Sequence, residues 1–343
     1  MILHNTINGD ELKEKIKECD KKRTTISFYK YAHIANPQLF RDHIFYHWSF
    51  LGVLGRIYVA NEGINAQLSI PTENLESFNK ELSNVTFLDG VRLNYAVDDD
   101  GKSFFKLAIK VKHKIVADGL NDDLFDVSDP GDYLNVERFN KLTDDKRTVL
   151  IDMRNHYESE VGRFEGAWCP DVDTFREQLP LVVEELAGQK DKTVVMYCTG
   201  GIRCEKASAY LKYKGFKDVH HLEGGIIRYA REAKKNKLDN KFIGKNFVFD
   251  ERLSERITKD VIAKCHQCDA SFDNHSNCKN KACNLLFIQC PKCRDRYAGT
   301  CSVRCQTITS LPEEEQRELR RGKDRGVRIF SKGRFAKGKL SDK

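Results

Sequence analysis

Alternation between apolar and polar positions shapes the first hundred residues. TTISFYKY at 24–31 is β-branched and aromatic and predicts a strand, and the stretch 37–50, opened by Pro37, predicts a helix. RIYVANEGINAQLSI predicts two strands joined at the Asn61-Glu62-Gly63 turn. Pro71-Thr72 opens a second helix reaching Leu82, and residues 91–97 and the run FFKLAIKVKHKIV supply two more strands. Strand, helix, strand, strand, helix, strand is the order of a ferredoxin-like α+β domain, here with an additional terminal strand, at residues 1–115.

The pattern then changes. Residues 117–132 are loop-like and acidic (Asp118, Asp122, Asp123, Asp126, Asp129, Asp132) and read as a linker. TVLIDMR and TVVMYC are short continuous apolar runs, the pattern of buried parallel strands, with FREQLPLVVEELA as a helix between them and EKASAYLKYKG as another ending at Gly215. An α/β domain with a mostly parallel sheet is expected at 116–240, leaving a Cys-rich unit and basic tail at 241–343. No internal repeat is present.

Composition excludes several classes. A chain of 343 residues with 40% apolar content has a prior of about two domains and is neither collagenous nor wholly disordered. No apolar stretch approaches the roughly 20 residues that span a bilayer, and the N-terminal MILHNTINGDELKEKIKE lacks the apolar core of a secretory signal, so a cytoplasmic, non-membrane protein is expected. The excess of 58 Lys+Arg over 51 Asp+Glu hints at an anionic partner. Twelve cysteines are the unusual count, eight of them within residues 265–305, and without a secretory signal disulfides are the weaker explanation.

Cys198 follows the strand TVVMY and opens CTGGIRCEKASAYL, a strand, a glycine-containing loop and a helix. Gly200 and Gly201 let the N–H groups of the loop Thr199-Gly200-Gly201-Ile202 converge, the helix adds the positive end of its dipole, and Arg203 adds a fixed charge. A thiol in that ring should ionise near neutral pH and act as a nucleophile; a buried inert cysteine is the bland alternative. Four residues separate Cys198 from Arg203, one fewer than in the phosphate-wrapping loop of tyrosine phosphatases, a ring better suited to a persulfide sulfur. Cys204 is a candidate resolving thiol or a packed helix residue. Cys19 and Cys169 carry no signal beyond packing.

The eight clustered cysteines form four short pairs: Cys265/Cys268, Cys278/Cys283, Cys290/Cys293 and Cys301/Cys305. Four knuckles can make two zinc sites of four thiolates each, with His266 and His275 as possible substitutes, and metal would supply folding free energy that NKACNLLFIQC cannot. An iron–sulfur cluster or metal-free packing stays open, and spacing does not say which knuckles pair. Lys110, Lys112 and Lys114 alternate in IKVKHKI and on a strand would share one face, so that with Lys106 and Arg92 they could line a phosphate track; an ordinary solvated face is the alternative. From Arg317 onward eleven Lys/Arg face three acids, interleaved with Phe330 and Phe335, as in an arm that contacts phosphates and stacks bases, or one that merely aids solubility.

The Cys-x4-Arg loop, LIDMRNHYESEVGRFEGAW and HLEGGIIRYA together resemble the rhodanese family, in which Asp152 and Arg154 match the strand-end pair beside the active-site loop. Their alternative role is a structural ion pair. With ANEGINAQ upstream and CHQCD…LLFIQCPKC downstream, the chain from about Ser27 to Cys305 resembles the bacterial tRNA uridine(34) hydroxylase family, TrhO-type proteins with a rhodanese domain between an α+β domain and a Cys-rich tail. The resemblance implies oxygen-dependent conversion of the wobble uridine of tRNA to 5-hydroxyuridine, with O2 as co-substrate and no nucleotide cofactor. From the residues themselves, Tyr29, Tyr31 and the Glu62-Gly63-Asn65 turn could approach the anticodon loop, although a hairpin turn needs no ligand. Two other functions fit the same residues: a sulfurtransferase that carries a Cys198 persulfide from a small sulfur donor, and a zinc-dependent RNA-binding redox sensor. Oligomeric state is not encoded legibly.

Overall fold

In the computed structural model, which describes residue 7 and residues 9–121, 124–321, 330, 334 and 335, a short helix α1 (Gly9–Lys17) precedes the predicted α+β unit. This unit runs β1 (Arg23–Tyr31), α2 (Pro37–Phe50), β2 (Leu54–Ala60), β3 (Gly63–Pro71), α3 (Leu75–Ser83), β4 (Asn94–Tyr95) and β5 (Leu107–Val111). The strands lie in the order β4-β1-β3-β2-β5, with β2 and β5 parallel and the other neighbours antiparallel, which is the ferredoxin-like arrangement with its extra strand. Alternate residues Ile26, Phe28, Ile57, Val59, Ile64, Ala66 and Leu68 meet Ile44 and Trp48 of α2 and Phe78 and Leu82 of α3. The other sheet face is polar and turns toward the second unit.

The lysine ladder does not continue as the alternation predicts. Strand β5 stops at Val111, which is exposed, as is His113, because the chain bends to bury Ile115. Lys110 and Lys112 remain exposed, but Lys114 turns inward to the Asp118 carboxylate at 2.8 Å and the Leu120 carbonyl at 2.6 Å. Arg92, grouped with the same track, pairs instead with Glu223.

The second unit comprises β6 (Asp132–Leu134), α4 (Val136–Asp144), β7 (Val149–Asp152), α5 (His156–Ser159), β8 (Gly162–Phe164), α6 (Phe175–Glu185), β9 (Thr193–Tyr197), α7 (Ile202–Tyr213), β10 (Asp218–Leu222) and α8 (Gly225–Asn236). A parallel sheet ordered β6-β10-β9-β7 is covered on one face by α6 and α7 and on the other by α4 and α8. Its strands are apolar on both faces, which explains why they read as unbroken runs. The acidic segment before it is more than a linker. Asp118 is fully buried and, with Glu62 of the β2–β3 turn, clamps the buried Lys206 of α7 at 2.7 and 2.6 Å.

The last unit is joined to the second by a shared sheet. Strand β11 (Phe242–Phe247) pairs with β8 on one side and β12 (Ser254–Arg256) on the other, crossing the boundary expected near residue 240. A hairpin of β13 (His275–Asn277) and β14 (Leu286–Ile288) and helices α9 (Pro291–Arg296), α10 (Val303–Ser310) and α11 (Glu313–Arg320) follow. Phe330 packs edge-on against Tyr157 and Phe247, Phe335 stacks on Phe287, and Arg334 binds Asp171 and Asp173. These side chains, expected on an RNA-contacting arm, are engaged with the protein, because burying them extends the small core of this unit. The rest of the basic arm, residues 322–329, 331–333 and 336–343, lies outside the described residues. Among the described residues no helix is long and apolar enough to cross a membrane.

Candidate active site and metal centres

Cys198 lies at the C-terminal end of β9 with no solvent exposure. The Gly201 N–H donates to its Sγ at 3.1 Å. Gly201 has a φ of +104°, and a Cβ there would stand 2.9 Å from the Tyr29 hydroxyl, so the turn needs glycine for both reasons. Gly225 opens α8 with a φ of +63° and lets that helix press on the loop, where the Ile226 N–H donates to the Cys198 carbonyl at 3.0 Å.

Burial works against a charged sulfur. The hydrogen bond from the Cys204 thiol, the Arg203 guanidinium and the N–H groups of Cys204 and Gly201 outweigh it and bring the Cys198 thiol down to about 5. Burial and the hydrogen bond to Cys198 push the Cys204 thiol well up, so Cys204 keeps its proton and acts as the donor. Cys169, outside this ring, is raised to about 11 by burial.

The remaining predicted residues separate. Arg203 joins Cys198 but is held by Glu158 of α5 in a two-pronged ion pair at 2.6 and 2.8 Å, both side chains almost fully buried. Asp152 and Arg154 form their own buried pair at 2.6 Å, tied to the Tyr197 hydroxyl and the Gly162 carbonyl, and neither lines the cavity above the loop. Sequence reasoning misses Glu158. The Asn155-x-x-Glu158 spacing signals a helix start, and the Asn155 N–H does donate to Glu158, but nothing local shows that the carboxylate faces Arg203. Substituting Glu158→Gln removes the two-pronged partner of buried Arg203 and leaves it only the Cys198 thiolate as countercharge, and urea denaturation is expected to register a loss of about 3 kcal/mol.

Above the loop is a cavity of about 640 Å³ whose floor is the polar face of the N-terminal sheet. Cys198, Thr199, Gly200, Ile202 and Arg203 meet Ser27, Tyr29, Tyr58, Asn65 and Gln67 across it. Hydrogen bonds fix the two walls together: the Tyr29 hydroxyl donates to Glu205 at 2.6 Å, the Tyr31 hydroxyl to the Ile202 carbonyl at 3.3 Å, and the Asn94 amide to the Gly200 carbonyl at 3.3 Å.

Glu255 also lines this cavity. One of its oxygens accepts from Arg252 and from the Val97 N–H, while burial, opposed by Arg252, raises its carboxyl to about 7. Between the ordinary 4.5 and about 7 the unfolded chain ionises Glu255 while the folded protein keeps it protonated, so stability drains as pH rises, by roughly 3 kcal/mol in all. The stability of Glu255→Gln relative to wild type should therefore improve by a few kcal/mol between pH 5 and pH 8 in chemical denaturation.

The eight clustered thiols resolve into two sets, Cys265/Cys268/Cys290/Cys293 and Cys278/Cys283/Cys301/Cys305, each with all sulfurs within 4.8 Å of one another. Knuckles pair alternately, first with third and second with fourth. Contacts of 3.6 Å (Cys268 to Cys290, Cys283 to Cys301) and 3.8 Å (Cys301 to Cys305) match the roughly 3.8 Å edge of a tetrahedron with 2.3 Å Zn–S bonds. That is too tight for the ligands of a multi-iron cluster. Backbone N–H groups of Cys290 and Cys301 and the Asn280 amide aim at Cys265, Cys278 and Cys305, as thiolate ligands require. Neither His266 nor His275 belongs to a set; His266 pairs with Glu160 and His275 packs on Phe247.

An ionised sulfur cradled by a glycine turn at the end of a parallel strand, with helices on both sheet faces, defines a rhodanese-like domain, and the rhodanese-like domain model matches residues 135–232. The UPF0176 acylphosphatase like domain matches residues 23–115 and the rhodanase C-terminal domain residues 243–306. The whole chain has near full-length relatives. It is 55% identical to the tRNA uridine(34) hydroxylase of Photorhabdus laumondii, covering 97% of this chain and 95% of that one. With the protein of the same name from Salmonella typhimurium the identity is 56%, covering 100% and 97%. The chain belongs to the tRNA uridine(34) hydroxylase family.

Proposed function

We propose that this protein hydroxylates C5 of the wobble uridine of tRNA, using O2 and the Cys198 thiolate. The observation that carries the proposal is a sulfur of low pKa beneath a cavity large enough for a nucleobase, in a chain whose near full-length relatives are named tRNA uridine(34) hydroxylase. Uracil C5 becomes electron-rich when a nucleophile adds at C6. Cys198 adds there, and the electron pair placed on C5 meets O2. One oxygen atom stays on C5, and the other leaves as water with two electrons from an external reductant such as a thiol. Loss of the C5 proton and departure of Cys198 from C6 restore the double bond. Arg203 and the loop N–H groups stabilise the departing thiolate, and Cys204 returns its hydrogen bond.

Asp152 and Arg154 act in this scheme as the support of the sheet end behind the loop. Lys106, Lys110 and Lys112 contact the RNA backbone; Lys112 lies over the ring of Tyr58, which itself lines the cavity. Lys114, tied to Asp118, positions the domain junction instead. The two four-cysteine sets hold zinc in a structural role, and the protein works in the cytoplasm, where tRNA is found. The test is mass spectrometry of nucleosides from tRNA incubated with the enzyme under air and under nitrogen. A uridine gaining one oxygen atom only under air supports hydroxylation, whereas thionated uridine would support sulfur transfer through a Cys198 persulfide.

A further inference from the structure

The ANEGINAQ segment supplies one arm of the Lys206 clamp and part of the cavity floor. On β3 the side chains of Ile64, Ala66 and Leu68 enter the core, so Asn65 and Gln67 occupy the opposite face, which lines the same cavity as Cys198. In register, Asn65 lies between Tyr29 of β1 and Tyr58 of β2, and Tyr29 is the residue that abuts Gly201 of the reactive loop.

The Asn65 amide has a fixed direction. Its Nδ2 donates to the Ile115 carbonyl at 3.1 Å. A carbonyl oxygen only accepts, so the nitrogen must face it and Oδ1 must face away. Ile115 is itself held from the other side of its Cα, because its N–H donates to Glu62 at 2.6 Å and Glu62 is paired with the buried Lys206. Among the described residues no protein donor reaches Asn65 Oδ1. The cavity that the reactive loop lines therefore also holds an acceptor of fixed direction that no protein donor occupies.

Uracil and cytosine differ at the atom such an acceptor addresses. Uracil N3 carries a hydrogen and donates; cytosine N3 carries a lone pair and would face Oδ1 with like charge. Resting on the hydroxylase reading above, we propose that Asn65 selects uracil by accepting its N3–H, with Glu62 and Lys206 as positioning residues that hold the amide in the required orientation. An amide free to rotate could serve either base, whereas this one cannot turn without giving up the Ile115 carbonyl.

The test uses the full-length, metal-loaded protein and otherwise identical tRNAs carrying uridine, 3-methyluridine or cytidine at the wobble position, with single-turnover hydroxylation followed by mass spectrometry. Wild type is expected to act on uridine about 100-fold or more faster than on 3-methyluridine or cytidine. Asn65→Ala is expected to be slower on uridine and to compress the uridine to 3-methyluridine ratio to a few-fold, while staying folded with a melting temperature a few degrees lower for the lost hydrogen bond to the Ile115 carbonyl. Equal wild-type rates on uridine and 3-methyluridine would overturn the proposal without any variant. So would a folded Asn65→Ala that keeps the full preference. Hydroxylation of uridine in those two outcomes would leave the functional reading intact, whereas no product from uridine in any arm would overturn both.

Discussion

Replacing Cys198 by alanine is expected to lower 5-hydroxyuridine formation by about 10³-fold or more, while leaving the melting temperature within a few degrees of wild type. The sulfur is the nucleophile in the proposed scheme, and no other side chain described in the cavity offers one of comparable strength at neutral pH. A thiol brought down to about 5 also has a pH signature. Its alkylation by iodoacetamide, followed peptide by peptide, should be nearly level from pH 6 to 8 and fall about tenfold per unit below pH 5, where an ordinary cysteine would instead gain steadily across the upper range. Cys204, which holds its proton, should stay unmodified under the same conditions. Unimpaired hydroxylation by the Cys198→Ala protein would end the covalent mechanism, whatever the alkylation profile.

Stripping the metal is expected to have the second-largest effect. With each set of four thiols gathered around one ion, the knuckles have little else to hold them: the two apolar clusters around them consist largely of the cysteines themselves, and among the described residues from β13 to α10 only Leu286 and Ile288 of β14 reach the cysteine-free cluster with Tyr157 and Phe247. Chelation without denaturant should unfold this unit and expose it to trypsin. Elemental analysis should find two zinc ions per chain. Cys265→Ser and Cys290→Ser should each lose the same ion and behave alike when combined, whereas Cys265→Ser with Cys278→Ser should lose both. A variant pair 265/290 that loses two ions would contradict the alternate pairing of knuckles.

The reactive loop and the metal knuckles differ in how far consecutive residues reveal them. The loop around Cys198 is legible in the sequence because its chemistry is local: strand, glycines, arginine and helix start are consecutive residues, and the thiol's surroundings follow from backbone geometry. The parallel strands and the ferredoxin-like order are legible for a similar reason, since burial on one face or two leaves a periodic or unbroken apolar run. The knuckles are visible as pairs, but their partners lie 22 and 25 residues apart in contacts such as Cys268 to Cys290 and Cys265 to Cys290, and sequence spacing places no constraint on which hairpin folds over which. Glu158, 45 residues before Arg203, is hidden for the same reason.

Two expectations fail through tertiary contacts that alternation cannot anticipate. The pattern makes β5 too long because Ile115 fits the alternation but is buried at the junction between units, and its descent turns Lys114 toward Asp118. The aromatic residues of the tail look like stacking platforms, yet Phe330 and Phe335 complete small apolar clusters that lack enough surface of their own. The linker misleads in the opposite direction. Its acids suggest solvent, while Asp118 is one of the most buried groups in the chain.

The clamp on Lys206 bears on what kind of substrate can be served. An ammonium without solvent contact, gripped by carboxylates from the hairpin and from the connecting segment, resists separation of the two walls, because opening would strand buried charges. The cleft is thus a slot with fixed walls and the Cys198 loop lining it, and the pyrimidine has to come to it. A nucleotide stacked and paired within a duplex has no such freedom, but one at the tip of a hairpin loop can swing out at small cost. Rigidity of the protein, rather than contacts along a stem, would then confine the chemistry to unpaired loop positions.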